Sequence, residues 1–114
     1  KNSEVLILGI TFKENCPDLR NSKAIEMVNF LKNYCMKCTV IDPLANPLEV
    51  KELLDVEFYN KLPDHISYNA LVATVKHKYF LKINKDKWNQ IINKKGVMLD
   101  LKGIIPKDLS PIRI

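Results

Sequence analysis

The sequence predicts an α/β fold with a three-layer, open, mainly parallel sheet of the Rossmann-like kind and helices on both faces. Stretches of consecutive apolar residues, as expected of strands that are buried on both faces, alternate with stretches of helical spacing. The 114 residues contain no internal repeat and no low-complexity segment. We therefore expect one domain, 1–114, whose crossovers are right-handed.

The first strand is predicted at residues 5–10, which are all apolar or glycine. Such a run fits the centre of a parallel sheet. A helix is expected to begin near residue 22, capped by Asn21 or Ser22, because apolar residues then recur at helical spacing until about Tyr34.

The second strand is predicted at residues 38–41, and an Asp-Pro pair at 42–43 ends it because proline does not continue a strand. An Asn-Pro pair at 46–47 indicates a capped helix with proline at its first position, running through about Leu54. Residues 56–59 are expected to form a short edge strand.

Another buried strand is predicted over residues 69–75. A helix is expected near residues 85–93, and it should bury Trp88, Ile91 and Ile92. Gly96 is expected to stop this helix in the position that glycine fills best. Residues 97–101 should form the last strand. The proline-rich tail, 106–114, should run along the surface or belong to a truncated edge.

Composition favours a folded soluble domain, since 46% of residues are hydrophobic and 27% are charged. No apolar run approaches the length of a membrane span and the first residues lack a signal-peptide pattern, so we expect a cytosolic protein without a membrane partner. The net charge is +5, and only Arg20 and Arg113 are arginines. Because the lysines are scattered, a solvated basic face is favoured over a nucleic-acid-binding stripe.

The three cysteines, Cys16, Cys35 and Cys38, form an odd set without a secretory context, which favours free thiols. A C-x-x-C is present, but a structural zinc needs four ligands and the other candidates are His65 and His77. A redox pair sits at the start of a helix, whereas this one falls where a helix gives way to a strand. We therefore expect no metal site.

The most informative segment is GITFKENCPDLRNS at residues 9–22, between the first strand and the first helix. Unpaired N–H groups of that helix should face the carboxyl edge of the sheet. Lys13 and Arg20 bring two cations to this place. The residues alone therefore indicate a site for an anionic ligand.

This segment closely resembles the opening of the C-terminal domain of the UDP-glucose/GDP-mannose dehydrogenase family. Three further stretches agree in order, namely Asp-Pro at 42–43, VKHKYF at 75–80 and DLKG at 100–103. The resemblance covers nearly the whole chain. The wording FKENCPD is more similar to the branch that oxidises UDP-N-acetylhexosamines than to the branch that oxidises UDP-glucose.

The resemblance implies part of an NAD-dependent UDP-sugar 6-dehydrogenase of surface polysaccharide synthesis, which oxidises the C6 alcohol to the uronic acid in two hydride transfers. In this family an N-terminal domain binds NAD, a central helix mediates dimerisation, and a covalent thiohemiacetal forms on a cysteine of an upstream segment. The chain is therefore expected to be a fragment without catalytic residues, inactive alone. Its expected partners are the UDP-sugar and the enzyme's own N-terminal and central domains.

The resemblance also implies site residues. Phe12 and Lys13 match the Phe-Lys pair that contacts the UDP-sugar, and Lys102 matches a basic position near the substrate. Arg20 matches the arginine that reaches across the cleft to NAD, where a guanidinium can grip two pyrophosphate oxygens. Arg113 is a further candidate for nucleotide binding, in a tail that aligns poorly.

Other polar residues have competing interpretations. Cys16 lies in the matched loop but not at the family's catalytic position. Asp18 is expected to shape the loop. Asp42 could hold a ribose hydroxyl, but ending a strand is the favoured role because the glycine-rich dinucleotide fingerprint is missing. His77 follows the end of a strand, but a lone histidine without a paired carboxylate or serine is weak support for catalysis.

Two other function classes compete with the dehydrogenase. One is a non-catalytic, flavodoxin-like nucleotide-binding or receiver-type module, although a receiver needs a cluster of acids and Asp42 with Asp100 is too few. The other is a basic nucleic-acid-binding domain, which would bind arbitrary DNA or RNA in a salt-sensitive manner.

Overall fold

A computed structural model describes residues 4–11, 15, 19, 22–33, 37–63, 68–109 and 111–113. Within these ranges six strands form one sheet, and every neighbouring pair is parallel. The strands are β1 (Glu4–Leu8), β2 (Lys37–Ile41), β3 (Glu57–Tyr59), β4 (Tyr68–Ala73), β5 (Ile92–Asp100) and β6 (Ile112–Arg113). The helices are α1 (Lys23–Lys32), α2 (Pro47–Leu53), α3 (Lys78–Leu81) and α4 (Lys85–Ile91), with a 3-10 turn at Lys107–Leu109.

The strand order is β3-β2-β1-β4-β5-β6, which places β1 at the centre and β3 at an edge, as predicted. The chain builds the sheet outwards from β1 to β3 and then returns to place β4 on the other side of β1. The direction of winding thus reverses between β1 and β4. In open parallel sheets such a reversal opens a crevice at the carboxyl ends of the two strands.

The two faces of the sheet carry separate hydrophobic cores, because side chains alternate between faces along a strand. The face covered by α1 and α2 holds Val5, Ile7, Val28 and Val50. The face covered by α3 and α4 holds Leu6, Leu8, Phe80 and Trp88. The prediction of a three-layer, parallel α/β fold with helices on both faces is confirmed.

Helix caps follow the sequence in one case and depart from it in another. The Asn46 side chain accepts hydrogen bonds from the amides of Leu48 and Glu49 at the start of α2, as predicted. Ser22 occupies the cap position of α1, but its hydroxyl does not cap that helix. It donates instead to the Ile10 carbonyl at 2.6 Å, which ties the start of α1 to the end of β1.

Asn46→Ala is expected to destabilise the chain by about 1 kcal/mol, the usual cost of losing an N-cap side chain. Urea unfolding followed by circular dichroism measures this change. Lys51→Ala, at an exposed position in the last turn of the same helix, is the control and should change stability by less than about 0.5 kcal/mol. Equal stabilities of the two variants would contradict the capping role.

The prediction that Gly96 ends a helix is wrong. α4 ends at Ile91, and Ile92 is already the first residue of β5, so Gly96 lies inside a strand. A Cβ at this position would lie 2.5 Å from Cγ1 of Ile92 and 3.0 Å from the Asn69 carbonyl oxygen. The glycine therefore admits a close approach of the Ile92 side chain, from the same strand, and of a β4 carbonyl, beside the register shift of β4 against β5.

Part of the tail, 106–114, joins the edge of the sheet instead of only running along the surface. Ile112 and Arg113 form β6, which pairs with β5 in the registers Leu99 to Ile112 and Asp100 to Arg113. Of the two predicted placements, the edge of the sheet is correct.

Candidate functional site

Polar residues follow the carboxyl ends of the central strands. Thr11 comes after β1, Asp42 directly after β2, Thr74 and His77 after β4, and Asp100 ends β5. These five residues are all buried. The Thr74 hydroxyl donates to the carbonyls of Leu8 and Gly9, which locks the end of β1 against β4.

The Asp42 carboxylate is wholly buried and surrounded by hydrogen-bond donors. Oδ1 accepts from the amides of Leu44 (2.9 Å) and Ala45 (3.1 Å). Oδ2 accepts from the amides of Ile10 (2.8 Å) and Thr11 (3.2 Å) and lies 3.0 Å from Nε2 of His77. Burial alone would raise the pKa of Asp42, but the hydrogen bonds from His77 and Ile10 outweigh it, and the pKa lies below its ordinary value.

The His77 ring joins Asp42 to the segment after β1. Its Nε2 lies 2.8 Å from the Thr11 hydroxyl as well as 3.0 Å from Asp42, while Nδ1 accepts the amide of Asn15 at 2.9 Å. Because Nδ1 accepts a hydrogen bond, the ring proton belongs on Nε2, and the ring is the neutral tautomer that donates towards Asp42. The expectation of a histidine without a paired carboxylate is wrong.

This pairing also bears on the two roles weighed for Asp42. Four backbone amides and the His77 ring surround its two carboxylate oxygens, so the structural role at the strand end is the one that the geometry supports. The aspartate does more than end a strand, since it fixes two loops and one imidazole. Sequence reasoning missed this pair, although an acid and a histidine at carboxyl ends of strands in one parallel sheet were the available signal.

The substrate-contact candidates Phe12 and Lys13 and the NAD-contact candidate Arg20 lie outside the described residues. So do Cys16 and Asp18, whose roles stay predictions. The sequence neighbours of these candidates are well held. Thr11 and Asn15, on either side of Phe12 and Lys13, both contact the His77 ring. On either side of Arg20, Leu19 and Ser22 are buried.

Lys102 lies in the turn that follows β5, at the carboxyl edge of the sheet, and it is exposed. The turn is organised by the buried Asp100, whose carboxylate accepts the amides of Lys102 (3.3 Å), Ile104 (2.9 Å) and Ile105 (2.8 Å). Arg113 belongs to β6. Whether either cation binds a ligand stays a prediction.

Cys38 is buried in β2, while Cys35 lies outside the described residues. Among the residues described, no group of three His, Cys, Asp or Glu side chains is placed to hold a metal ion. None of the described helices is both long and apolar enough to cross a bilayer.

Comparison with known proteins agrees with this geometry. Residues 6–107 match the family model for the UDP-glucose/GDP-mannose dehydrogenase family, UDP binding domain. A UDP-N-acetyl-D-glucosamine 6-dehydrogenase of Salmonella typhi is 33% identical over 100% of this chain and 27% of its own length. The protein CapL of Staphylococcus aureus is 36% identical over 95% of this chain and 25% of its own length.

Among solved structures, the UDP-D-ManNAc dehydrogenase of Pyrococcus horikoshii has the same fold, with a TM-score of 0.75 at 19% identity over 98% of this chain and 25% of that chain. The chain spans about a quarter of the length of the relatives that it matches. Because the family match covers almost the entire sheet, the chain belongs to the UDP-glucose/GDP-mannose dehydrogenase family and corresponds to its UDP-binding domain.

Proposed function

We propose that residues 1–114 form the sugar-nucleotide-binding domain of a longer, NAD-dependent UDP-sugar 6-dehydrogenase. The full enzyme oxidises the C6 alcohol of a UDP-hexose or UDP-N-acetylhexosamine to the uronic acid for surface polysaccharide synthesis. It is a cytoplasmic homodimer whose N-terminal and central domains supply the main NAD site and the catalytic cysteine. The family match and the names of the relatives support this proposal.

One observation of the structure carries the proposal. The segment that contains Phe12 and Lys13 begins at the reversal point of the sheet, and the residues on both sides of it are hydrogen-bonded to the same buried ring. A nucleotide binds most readily in this crevice of an α/β sheet. Lys13, with Lys102 at the same edge, supplies positive charge for the diphosphate.

The cofactor role is assigned to a single residue of this chain. NAD would supply the hydride acceptor, and Arg20 would hold its pyrophosphate, since a guanidinium offers paired hydrogen-bond donors. A chain without a glycine-rich fingerprint after its first strand fits this secondary contact rather than a complete NAD site.

We favour a UDP-N-acetylhexosamine over UDP-glucose as the substrate of the full enzyme. Relatives named UDP-N-acetyl-D-glucosamine 6-dehydrogenase are 33% and 30% identical to this chain. Relatives named UDP-glucose 6-dehydrogenase, from Rickettsia prowazekii and Rhizobium meliloti, are 28% and 29% identical.

A receiver-type module is disfavoured because the carboxylates of Asp42 and Asp100 already accept several amides of the protein.

The decisive experiment measures NADH formation by the complete polypeptide with UDP-N-acetylglucosamine, UDP-N-acetylmannosamine and UDP-glucose in turn. We expect NADH with a UDP-N-acetylhexosamine, and two NADH per sugar oxidised because an alcohol becomes a carboxylate. Absence of NADH with every UDP-sugar would contradict the proposal.

Lys13→Gln in the complete enzyme is expected to raise KM for the UDP-sugar about 10- to 100-fold, because a hydrogen bond to a charged group is lost. Arg20→Lys should instead raise KM for NAD by a similar factor, since lysine keeps the charge but not the paired donors. Steady-state kinetics with each substrate varied in turn measures both changes. Lys51→Gln, at an exposed position in the last turn of α2, is the matched control and should alter neither KM.

A further inference from the structure

We propose that His77 is a positioning residue for the UDP-sugar, because its one ring holds both ends of the segment that carries Phe12 and Lys13. This inference rests on the proposed function. The ring itself is 1% exposed, so it acts through the loop and does not touch the ligand. Nothing in the sequence motif assigns this role.

The first step of the argument is the order of the hydrogen bonds. Asp42 draws the Nε2 proton of His77 towards itself, and this leaves Nδ1 as the acceptor for the Asn15 amide. The same Asp42 oxygen accepts the amides of Ile10 and Thr11. The carboxylate thus holds the first end of the segment directly and the second end through the imidazole.

The second end is locked by a reciprocal pair. While the Asn15 amide donates to His77, the Asn15 side-chain oxygen accepts the Lys78 amide at 3.2 Å, at the start of α3. Asn15 has a φ of 59°, a left-handed conformation that asparagine adopts more readily than most residues. In this conformation Asn15 contacts both the His77 ring and the start of α3.

Fixing the two ends of a short segment lowers the entropy that a ligand must remove when it binds. Besides Asp42, the His77 ring contacts Thr11 and Asn15, which flank the UDP-sugar candidates. Arg20, the NAD candidate, lies five positions beyond Asn15 in the sequence and two before Ser22, whose hydroxyl donates to the Ile10 carbonyl. Loss of the ring should therefore affect the sugar nucleotide and spare NAD.

Two partial replacements separate positioning from a merely structural role. His77→Gln can place an amide donor near the Nε2 position, towards Asp42, but offers no acceptor where Nδ1 lies. His77→Asn can place an acceptor near Nδ1 but withdraws the donor to Asp42. In the second variant Thr11 is still held, because its amide donates to Asp42.

The two His77 variants should differ in opposite directions in KM for the UDP-sugar and in Tm. In the complete enzyme, His77→Gln should raise KM for the UDP-sugar about 3- to 10-fold, the effect of one lost hydrogen bond, with KM for NAD and Tm close to wild type. His77→Asn should lower Tm more and raise KM for the UDP-sugar less. Ile91→Val shortens a buried side chain at the end of α4, directly before β5 begins and so at the opposite edge of the sheet, and it should lower Tm without changing either KM.

The outcomes separate this inference from the proposed function. If the wild-type enzyme binds and oxidises a UDP-sugar while His77→Gln leaves its KM unchanged, the positioning role is wrong and the proposed function stands. The positioning role is also wrong if both KM values rise together in His77→Gln. If wild type shows neither UDP-sugar binding nor NADH formation, the proposed function itself fails. Isothermal titration with UDP-sugar, without NAD, gives the binding constants independently of turnover.

Discussion

Asp42→Asn is expected to lower the free energy of unfolding by about 3–5 kcal/mol, as removal of one partner of a buried, hydrogen-bonded pair does. An asparagine has one acceptor oxygen where the aspartate has two. Either orientation of the amide turns its NH2 group towards two amide donors, those of Leu44 and Ala45 or those of Ile10 and Thr11. At least two backbone donors, one or both of them buried, then lose their acceptor.

The effect of this substitution should depend on pH. Burial opposes ionisation, but the hydrogen bonds from His77 and Ile10 prevail, so the pKa of Asp42 in the folded chain lies below its ordinary value of 3.8. A carboxyl whose pKa is lower when folded stabilises the fold fully above its unfolded pKa, and this contribution is lost as the pH falls through the folded pKa. The difference between wild type and Asp42→Asn should therefore be largest near neutrality and shrink below about pH 4.

Urea unfolding of both chains at about pH 7, 4 and 3 measures that difference, and effects of other titrating groups common to both chains cancel. Asp55→Asn, at an exposed aspartate, is the matched control and should change stability by less than about 0.5 kcal/mol. A difference that is constant over this range would show that the Asp42 carboxylate contributes through its shape and not through its charge.

Much of the fold could be predicted because its signals are local. Residues 5–10 are apolar at every non-glycine position, and the structure places them in or directly after the central strand. Asn46 and Pro47 specify the start of α2 within a few residues, and the cap forms as expected. In each case the physical cause, burial on both faces of the sheet or an unpaired amide, acts over neighbours in the chain.

The remaining features depend on contacts between distant segments. Asp42 and His77 are 35 positions apart in the sequence. They meet because β2 and β4 both pair with β1 in parallel and therefore end at the same edge of the sheet. Gly96 does not mark the end of a helix. The Ile92 side chain and a carbonyl of β4 occupy the space that a Cβ at this position would need. Local patterns identify that a glycine or a histidine is unusual, but the order of the strands decides what it contacts.

Gly9→Ala is the second large effect, an expected loss of about 2–5 kcal/mol of stability from an unfavourable backbone conformation combined with overpacking. Gly9 has a φ of +99°, and an added Cβ would lie 2.6 Å from Cβ and 3.0 Å from the backbone nitrogen of Val75. Real Cβ atoms do not approach so closely, so either the end of β1 or the chain after β4 must move.

Gly103→Ala separates the two causes. Gly103 also has a positive φ, +74°, but a Cβ there would meet no atom within 4 Å, so only the conformational cost of about 1–2 kcal/mol applies. Urea unfolding should therefore rank Gly9→Ala clearly below Gly103→Ala in stability. Val75→Ala should not rescue Gly9→Ala, because alanine retains the Cβ that is struck. Equal losses at the two glycines would mean that the chain after β4 yields at little cost. That result would also weaken the view that Thr11 and His77 are held rigidly, since these residues lie two positions beyond Gly9 and Val75.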